Sequence, residues 1–187
     1  MALPSSKESI YQLKVTLAGI NPRIWRRIQV PGNFGLDKLH LALQVAMGWE
    51  NYHLYQLTIG GIDYSEPSPD DWREMKDVRG VTLSQVVPSE GTRFMYEYDF
   101  GDGWEHEIRV EKILTPEPNA KYPICIAGER ACPPEDCGGV WGYEELLEII
   151  QDPNHEDHED MLDWLGGEFD PEAFDLELVN RELRSIR

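Results

Sequence analysis

Two runs of alternating residues, Arg93 to Phe100 and Trp104 to Leu114, flank Gly101-Asp102-Gly103, and no other stretch restricts the fold as tightly. Period-two alternation marks a strand with one buried face, and a short glycine-rich turn folds one strand back on the other. Phe94, Tyr96, Tyr98 and Phe100 share a face, and a slip of one residue would turn them all to solvent. We read Phe100 opposite Trp104, which sets Tyr98 against His106, Tyr96 against Ile108 and Phe94 against Val110. The other face then opposes Asp99 to Glu105 and Glu97 to Glu107. Such like-charge pairs are unfavourable by roughly a few tenths of a kcal/mol unless water, an arginine or a cation relieves them.

Tyr11, Leu13, Val15 and Leu17 alternate in the same way, as do Ile24, Arg26, Ile28 and Val30, with Gly19-Ile20-Asn21-Pro22 between them. They form an opening hairpin. Leu36, Leu39, His40, Leu43 and Met47 recur at helical spacing and stop at Gly48, and His53 to Ile59 reads as another strand. Asp63 to Asp77 is a long polar excursion, Thr82 to Val87 one helical turn, and Thr115 to Gly142 a Pro/Gly-rich loop. Helices are expected over Tyr143 to Gln151 and over Asn154 to Leu165. The last helix is expected from Asp170 as N-cap, with Pro171 at its first position and Phe169 and Phe174 as a staple. Strands early and helices late predict an α+β fold. It has a mainly antiparallel sheet built from hairpins, one helix after the first hairpin and a C-terminal group of three helices. One domain over 1–187 is expected, its acidic helical portion beginning at about residue 143.

Charge is distributed unevenly within a net −18. Up to Gly61 six basic residues face three acidic ones, whereas from Asp152 onward twelve carboxylates face Arg181, Arg184 and Arg187. A field of that sign repels phosphates, so direct nucleic-acid binding is not expected, and a basic partner or a cation suits the surface better. No apolar run is long enough for a membrane span and the start lacks a secretory core, which predicts a cytoplasmic protein without membrane attachment. An odd number of cysteines fits that setting, as reduced thiols or metal ligands.

Candidate chemistry gathers in the hairpin and in the loop Cys132 to Gly139. His106 lies on the aromatic face, either as a core histidine bonded to a tyrosine hydroxyl or as a general base paired with Asp99 or Asp102. Cys125, Cys132 and Cys137 could hold zinc with His106, or with His155 or His158, although no C-x2-C pair is present. The alternative is buried thiols in a glycine- and proline-rich loop. His155, His158 and Glu159 could share one helix face as ligands, or form a solvated acidic helix. Tyr96, Tyr98 and Trp104, with Glu135, Asp136, Gly138 and Gly139 from the loop, are the candidate binding residues.

Pro22-Arg23-Ile24-Trp25-Arg26-Arg27, the helix Leu36 to Trp49, the block Tyr96 to His106, and Cys132-Pro133-Pro134-Glu135-Asp136-Cys137-Gly138-Gly139 followed by Gly142-Tyr143 together resemble the plasmid pRiA4b ORF-3-like family. The resemblance covers nearly the whole chain. It implies an α+β fold, a bacterial or archaeal origin and an association with mobile elements, and it carries no established reaction. Two functions follow for testing. One is a non-enzymatic binding module with an acidic surface, for a protein or small-molecule partner. The other is a metal-supported hydrolase-like enzyme using His106 with Asp99 or Asp102.

Overall fold

The computed structural model describes residues 9–67 and 75–186. Its centre is an eight-stranded sheet: β1 (Ile10–Leu17), β2 (Trp25–Pro31), β3 (Tyr55–Ile59), β4 (Ile62–Ser65), β5 (Lys76–Asp77), β6 (Arg93–Tyr98), β7 (Trp104–Leu114) and β8 (Ile124–Glu129). The strand order is β5-β4-β3-β6-β7-β1-β2-β8, antiparallel throughout except for the short β4–β5 pair. Helices are α1 (Leu36–Met47), α2 (Leu83–Val86), α3 (Gly139–Gln151), α4 (His158–Leu165) and α5 (Leu176–Leu183). The protein is therefore α+β. No helix among the described residues is long and apolar enough to cross a membrane.

The alternating strands bury one face. Tyr11, Leu13, Val15 and Leu17 of β1 join Phe94, Tyr96 and Tyr98 of β6 and Trp104, Ile108 and Val110 of β7 in one hydrophobic cluster with Leu36, Leu39 and Leu43 of α1. Arg26 is the exception on the buried face of β2, at 2% exposure. Its guanidinium donates to the carbonyls of Trp25, Ala46, Glu129 and Arg130 and lies 4.2 Å from the Phe174 ring centroid, so backbone dipoles and an aromatic face replace its water. The opposite face of the sheet is charged. Arg27 forms two hydrogen bonds to Glu111, at 2.6 and 2.8 Å, and Arg93 pairs with Glu107.

Register in the β6–β7 hairpin differs from the expectation by two residues: Tyr98 faces Trp104, Tyr96 faces His106 and Phe94 faces Ile108. A two-residue shift keeps every side chain on its face, which is why the buried set is unchanged. Phe100 moves into the turn and is 43% exposed. Glu97 now opposes Glu105, whereas Glu107 opposes Met95 and carries the Arg93 ion pair. Asp99 leaves the ladder for a left-handed conformation, φ 57°.

Other boundaries also move. β3 begins at Tyr55, so His53 belongs to the loop after α1, and β4 and β5 bound the polar excursion, whose residues 68–74 lie outside the described part. β8 occupies the stretch expected to be loop; it is an edge strand, completed by Asn180 of α5, whose side-chain amide bonds both the N–H and the C=O of Cys125. α3 starts earlier, at Gly139, and α4 later, at His158. The last helix starts at Leu176 with Asp175 capping Leu178 N–H. The earlier start at Asp170 is overridden by tertiary contacts: the Pro171 carbonyl accepts from Ala131, Glu172 pairs with Arg130, and Phe174 covers Arg26.

Candidate functional site

Three segments meet at one end of the hairpin: the loop after α1, the β6–β7 turn, and the loop leading into α3. Gly48 ends α1 in a left-handed conformation, φ 104°, and redirects the chain so that Trp49 packs on Tyr98 and Trp104. The Tyr98 hydroxyl is the hub. It accepts the backbone N–H groups of Tyr52 (2.9 Å) and His53 (3.4 Å) and donates to Glu135 Oε1 (3.1 Å), which also accepts Glu50 N–H at 2.7 Å. One phenol thereby ties β6 to both loops, and burial with the nearby Glu135 charge pushes its pKa up to about 12.

The loop before α3 is held against the turn by contact that only glycine permits. Gly138 and Gly139 both have positive φ, 93° and 69°, and a Cβ on Gly139 would stand 2.4 Å from the Asp102 carbonyl oxygen. Gly138 N–H donates to Asp102 Oδ2 at 3.1 Å. Asp102 is thus a structural acceptor at this junction.

His53, Asp99, Glu135 and Asp136 converge beside it. His53 Nε2 lies 2.9 Å from Asp136 Oδ1, 3.7 Å from Asp99 Oδ2 and 3.9 Å from Glu135 Oε2. Asp99 is pinned by its own N–H to Leu54 O and by Gly101 N–H to its Oδ1. Among the described residues no Lys or Arg nitrogen comes within 4.0 Å of these carboxylates.

His106 stands elsewhere. It is fully buried, donates from Nδ1 to the Tyr96 carbonyl (3.2 Å) and accepts the Trp49 indole N–H at Nε2 (3.4 Å). Both nitrogens are engaged and burial lowers its pKa to about 4, leaving a neutral core ring whose hydrogen bonds reach neither Asp99 nor Asp102. His40 is similar: stacked on Tyr55 at 3.5 Å, bonded to the Tyr96 hydroxyl and Asn51, pKa about 4.

The cysteines are free thiols. Cys125 Sγ donates to Ala127 O, and burial raises the pKa of all three. The one set of three metal-capable side chains whose donor atoms lie within 4.8 Å of one another, among the described residues, is His53, Asp99 and Asp136, with neither a cysteine nor His106 in it. His155 sits in the turn before α4, and His158 donates to the Ile149 carbonyl that ends α3, so these two do not converge with Glu159. Of the residues singled out by sequence, Tyr98, Asp99, Asp102, Glu135, Asp136, Gly138 and Gly139 meet at the junction. Tyr96 and Trp104 are wholly buried beneath it.

A groove opens from Asp136 along α3 and α4, with a cavity volume of about 460 Å³. Leu146 and Ile149 of α3 face Met161 and Trp164 of α4, and Asp136, Glu145, Asp157 and Asp160 line the same groove, which no basic side chain among the described residues lines. Trp164 is half exposed and Trp141 almost wholly so.

Comparison with known proteins agrees with this architecture. The profile of the family described as "Plasmid pRiA4b ORF-3-like protein" matches residues 9–178. The chain is 40% identical over 181 residues to "Uncharacterized protein y4hQ" of Sinorhizobium fredii, covering 95% of this chain and 92% of that protein. It is similar to the crystal structure of MM3350 from Methanosarcina mazei Go1, titled a protein of unknown function, with a TM-score of 0.84 and 43% identity over 91% of this chain and 96% of the other. The chain belongs to the pRiA4b ORF-3-like family, and neither these relatives nor the family description indicates an enzymatic function.

Proposed function

We propose that this member of the pRiA4b ORF-3-like family is a non-enzymatic binding module whose α3–α4 groove receives a basic, amphipathic peptide segment of a protein partner. The observation that carries this reading is the lining of the groove. Four carboxylates surround a partly exposed apolar floor, a combination that attracts a Lys/Arg-bearing segment and gives its apolar residues a surface to cover. Glycine-dependent contact at Gly139 fixes the groove's inner end to the sheet, so the acidic helical portion from about residue 143 acts with the rest of the chain as one unit. Three free thiols fit a reducing, cytoplasmic setting.

The same field disfavours DNA. Within the opening basic run Arg26 is buried on carbonyls and Arg27 is held by Glu111, which leaves Arg23 as the arginine free for phosphate. A short amphipathic Lys/Leu peptide is the probe. Calorimetric titration should show saturable binding that weakens with added salt and drops at least about tenfold in Asp157→Lys/Asp160→Lys. Binding that ignores both salt and the charge reversal would refute the reading.

A further inference from the structure

The junction holds a second arrangement that shares only Asp136 with the peptide groove. Two of its four polar side chains, and the backbone of a third residue, are fixed by bonds from atoms other than those that converge. Glu135 is held through Oε1 by Glu50 N–H and the Tyr98 hydroxyl, and Asp99 through Oδ1 by Gly101 N–H. The backbone of His53 is held by the Tyr98 hydroxyl. What remains points inward. His53 Nε2 and Glu135 Oε2 are both enclosed, each with less than 1 Å² exposed, and neither makes a hydrogen bond, despite the carboxylates around the imidazole. Orphaned buried donor or acceptor atoms destabilise a fold, so one that holds two of them 3.9 Å apart calls for something between them.

We propose that His53, Asp99 and Asp136 form a binding site for one divalent first-row transition ion of the Mn²⁺/Zn²⁺ kind, with the Glu135 carboxylate beside His53 adding negative charge. Spacing supports it: an ion with ligands at about 2.0–2.2 Å sets neighbouring donors about 3.0–3.5 Å apart and opposite ones about 4 Å apart. The separations from His53 Nε2 are 2.9, 3.7 and 3.9 Å, and the donor atoms of His53, Asp99 and Asp136 fall within 4.8 Å of one another. Donor chemistry sets the class. One imidazole among carboxylates favours Mn²⁺, Fe²⁺ or Zn²⁺ over Mg²⁺ and Ca²⁺, which prefer oxygen throughout. Local charge agrees, since three carboxylates converge without a Lys or Arg partner among the described residues. Asp136, 66% exposed, is the wet side through which the ion enters.

The test uses the full chain stripped of metal by chelation and titrated calorimetrically with MnCl₂ and with ZnCl₂, with thermal melts in parallel. The expected result is about one equivalent of either ion and a rise in melting temperature. His53→Gln and Asp99→Asn should each weaken affinity at least tenfold, whereas Glu105→Gln on the charged sheet face should leave it unchanged. Asn at position 99 keeps the oxygen that accepts Gly101 N–H and tolerates positive φ, so that variant separates ion loss from misfolding. Neither position lines the peptide groove, so failure here leaves peptide binding untouched. Three results would overturn the proposal: no saturable binding; binding that His53→Gln and Asp99→Asn do not affect, as cysteine-bound zinc would give; or saturation by Mg²⁺ or Ca²⁺ alone.

Discussion

Replacing Gly139 by alanine tests whether the junction is a rigid contact. The added Cβ meets two penalties. One is conformational: φ is +69°, and a side chain in the left-handed region costs about 1–2 kcal/mol, reduced by the roughly 0.4–1 kcal/mol that alanine recovers by restricting the unfolded chain. The other is steric: the Cβ would lie 2.4 Å from the Asp102 carbonyl oxygen, a backbone atom that cannot swing aside, and overpacking of this kind costs about 1–3 kcal/mol. Gly80 separates the two, because its φ is +80° and a Cβ there meets nothing within 4 Å. Urea denaturation at constant m should therefore show Gly80→Ala losing up to about 1.5 kcal/mol and Gly139→Ala about 1–3 kcal/mol more. Gly139→Ala should also weaken the Gly138 N–H to Asp102 bond, making Asp102→Ala less damaging in the Gly139→Ala background than alone. Equal losses at Gly80 and Gly139 would show that turn and loop are not in fixed contact.

Two further predictions concern pH. His40 and His106 have folded pKa values lowered from 6.5 to about 4 by burial, so the unfolded chain takes up protons first; stability is complete above about pH 6.5 and falls as pH drops toward 4. Nitrogen NMR at pH 6 should find both rings neutral, His106 protonated on Nδ1 and His40 on Nε2, since Tyr96 accepts from Gln44 and donates to His40; a cationic ring at pH 6 would contradict the network. Glu111, lowered from 4.5 to about 2 chiefly by its hydrogen bond from Arg27, contributes stability above pH 4.5 that disappears as pH falls through about 2. Screening at this partly open site keeps the contribution near 1 kcal/mol or below, and Glu111→Gln should remove it at pH 7 in chemical denaturation; an unchanged midpoint would mean the pair contributes nothing.

Periodicity made the buried face of the sheet legible in the sequence, because alternation reports side-chain direction irrespective of register. It could not tell Tyr98 opposite His106 from Tyr98 opposite Trp104, since both keep the aromatics inside; the choice is made by the turn, where Asp99 takes a left-handed conformation and bonds Leu54 and Gly101. The strong helix-start signal at Asp170-Pro171 lost to tertiary partners that lie far away in sequence. At the junction, Tyr98, Asp99, Glu135 and Asp136 were recognisable as a cluster of reactive residue types, but His53 was absorbed into a strand. The signal was there in Gly48 followed by Glu50-Asn51-Tyr52-His53, a polar run after a helix stop that reads better as a loop than as the start of β3. For His106 the sequence leaves a core ring and a general base both open, because its chemistry depends on enclosure, which alternation cannot measure.

The strand order also has a consequence for synthesis. β1 is an interior strand of the sheet, yet of its two neighbours only β2 follows promptly; the other, β7, begins at Trp104 and pairs Ile10 with Leu114. While the chain emerges from the ribosome, the first hairpin must present an unpaired edge until some hundred residues have been made. Long-range pairing of this sort slows folding, and an open edge invites association with other chains. Lys14 and Thr16 on the outer face of β1, with Arg27 opposite Lys14 on β2, give that waiting hairpin charged and polar groups of the kind that discourage such association.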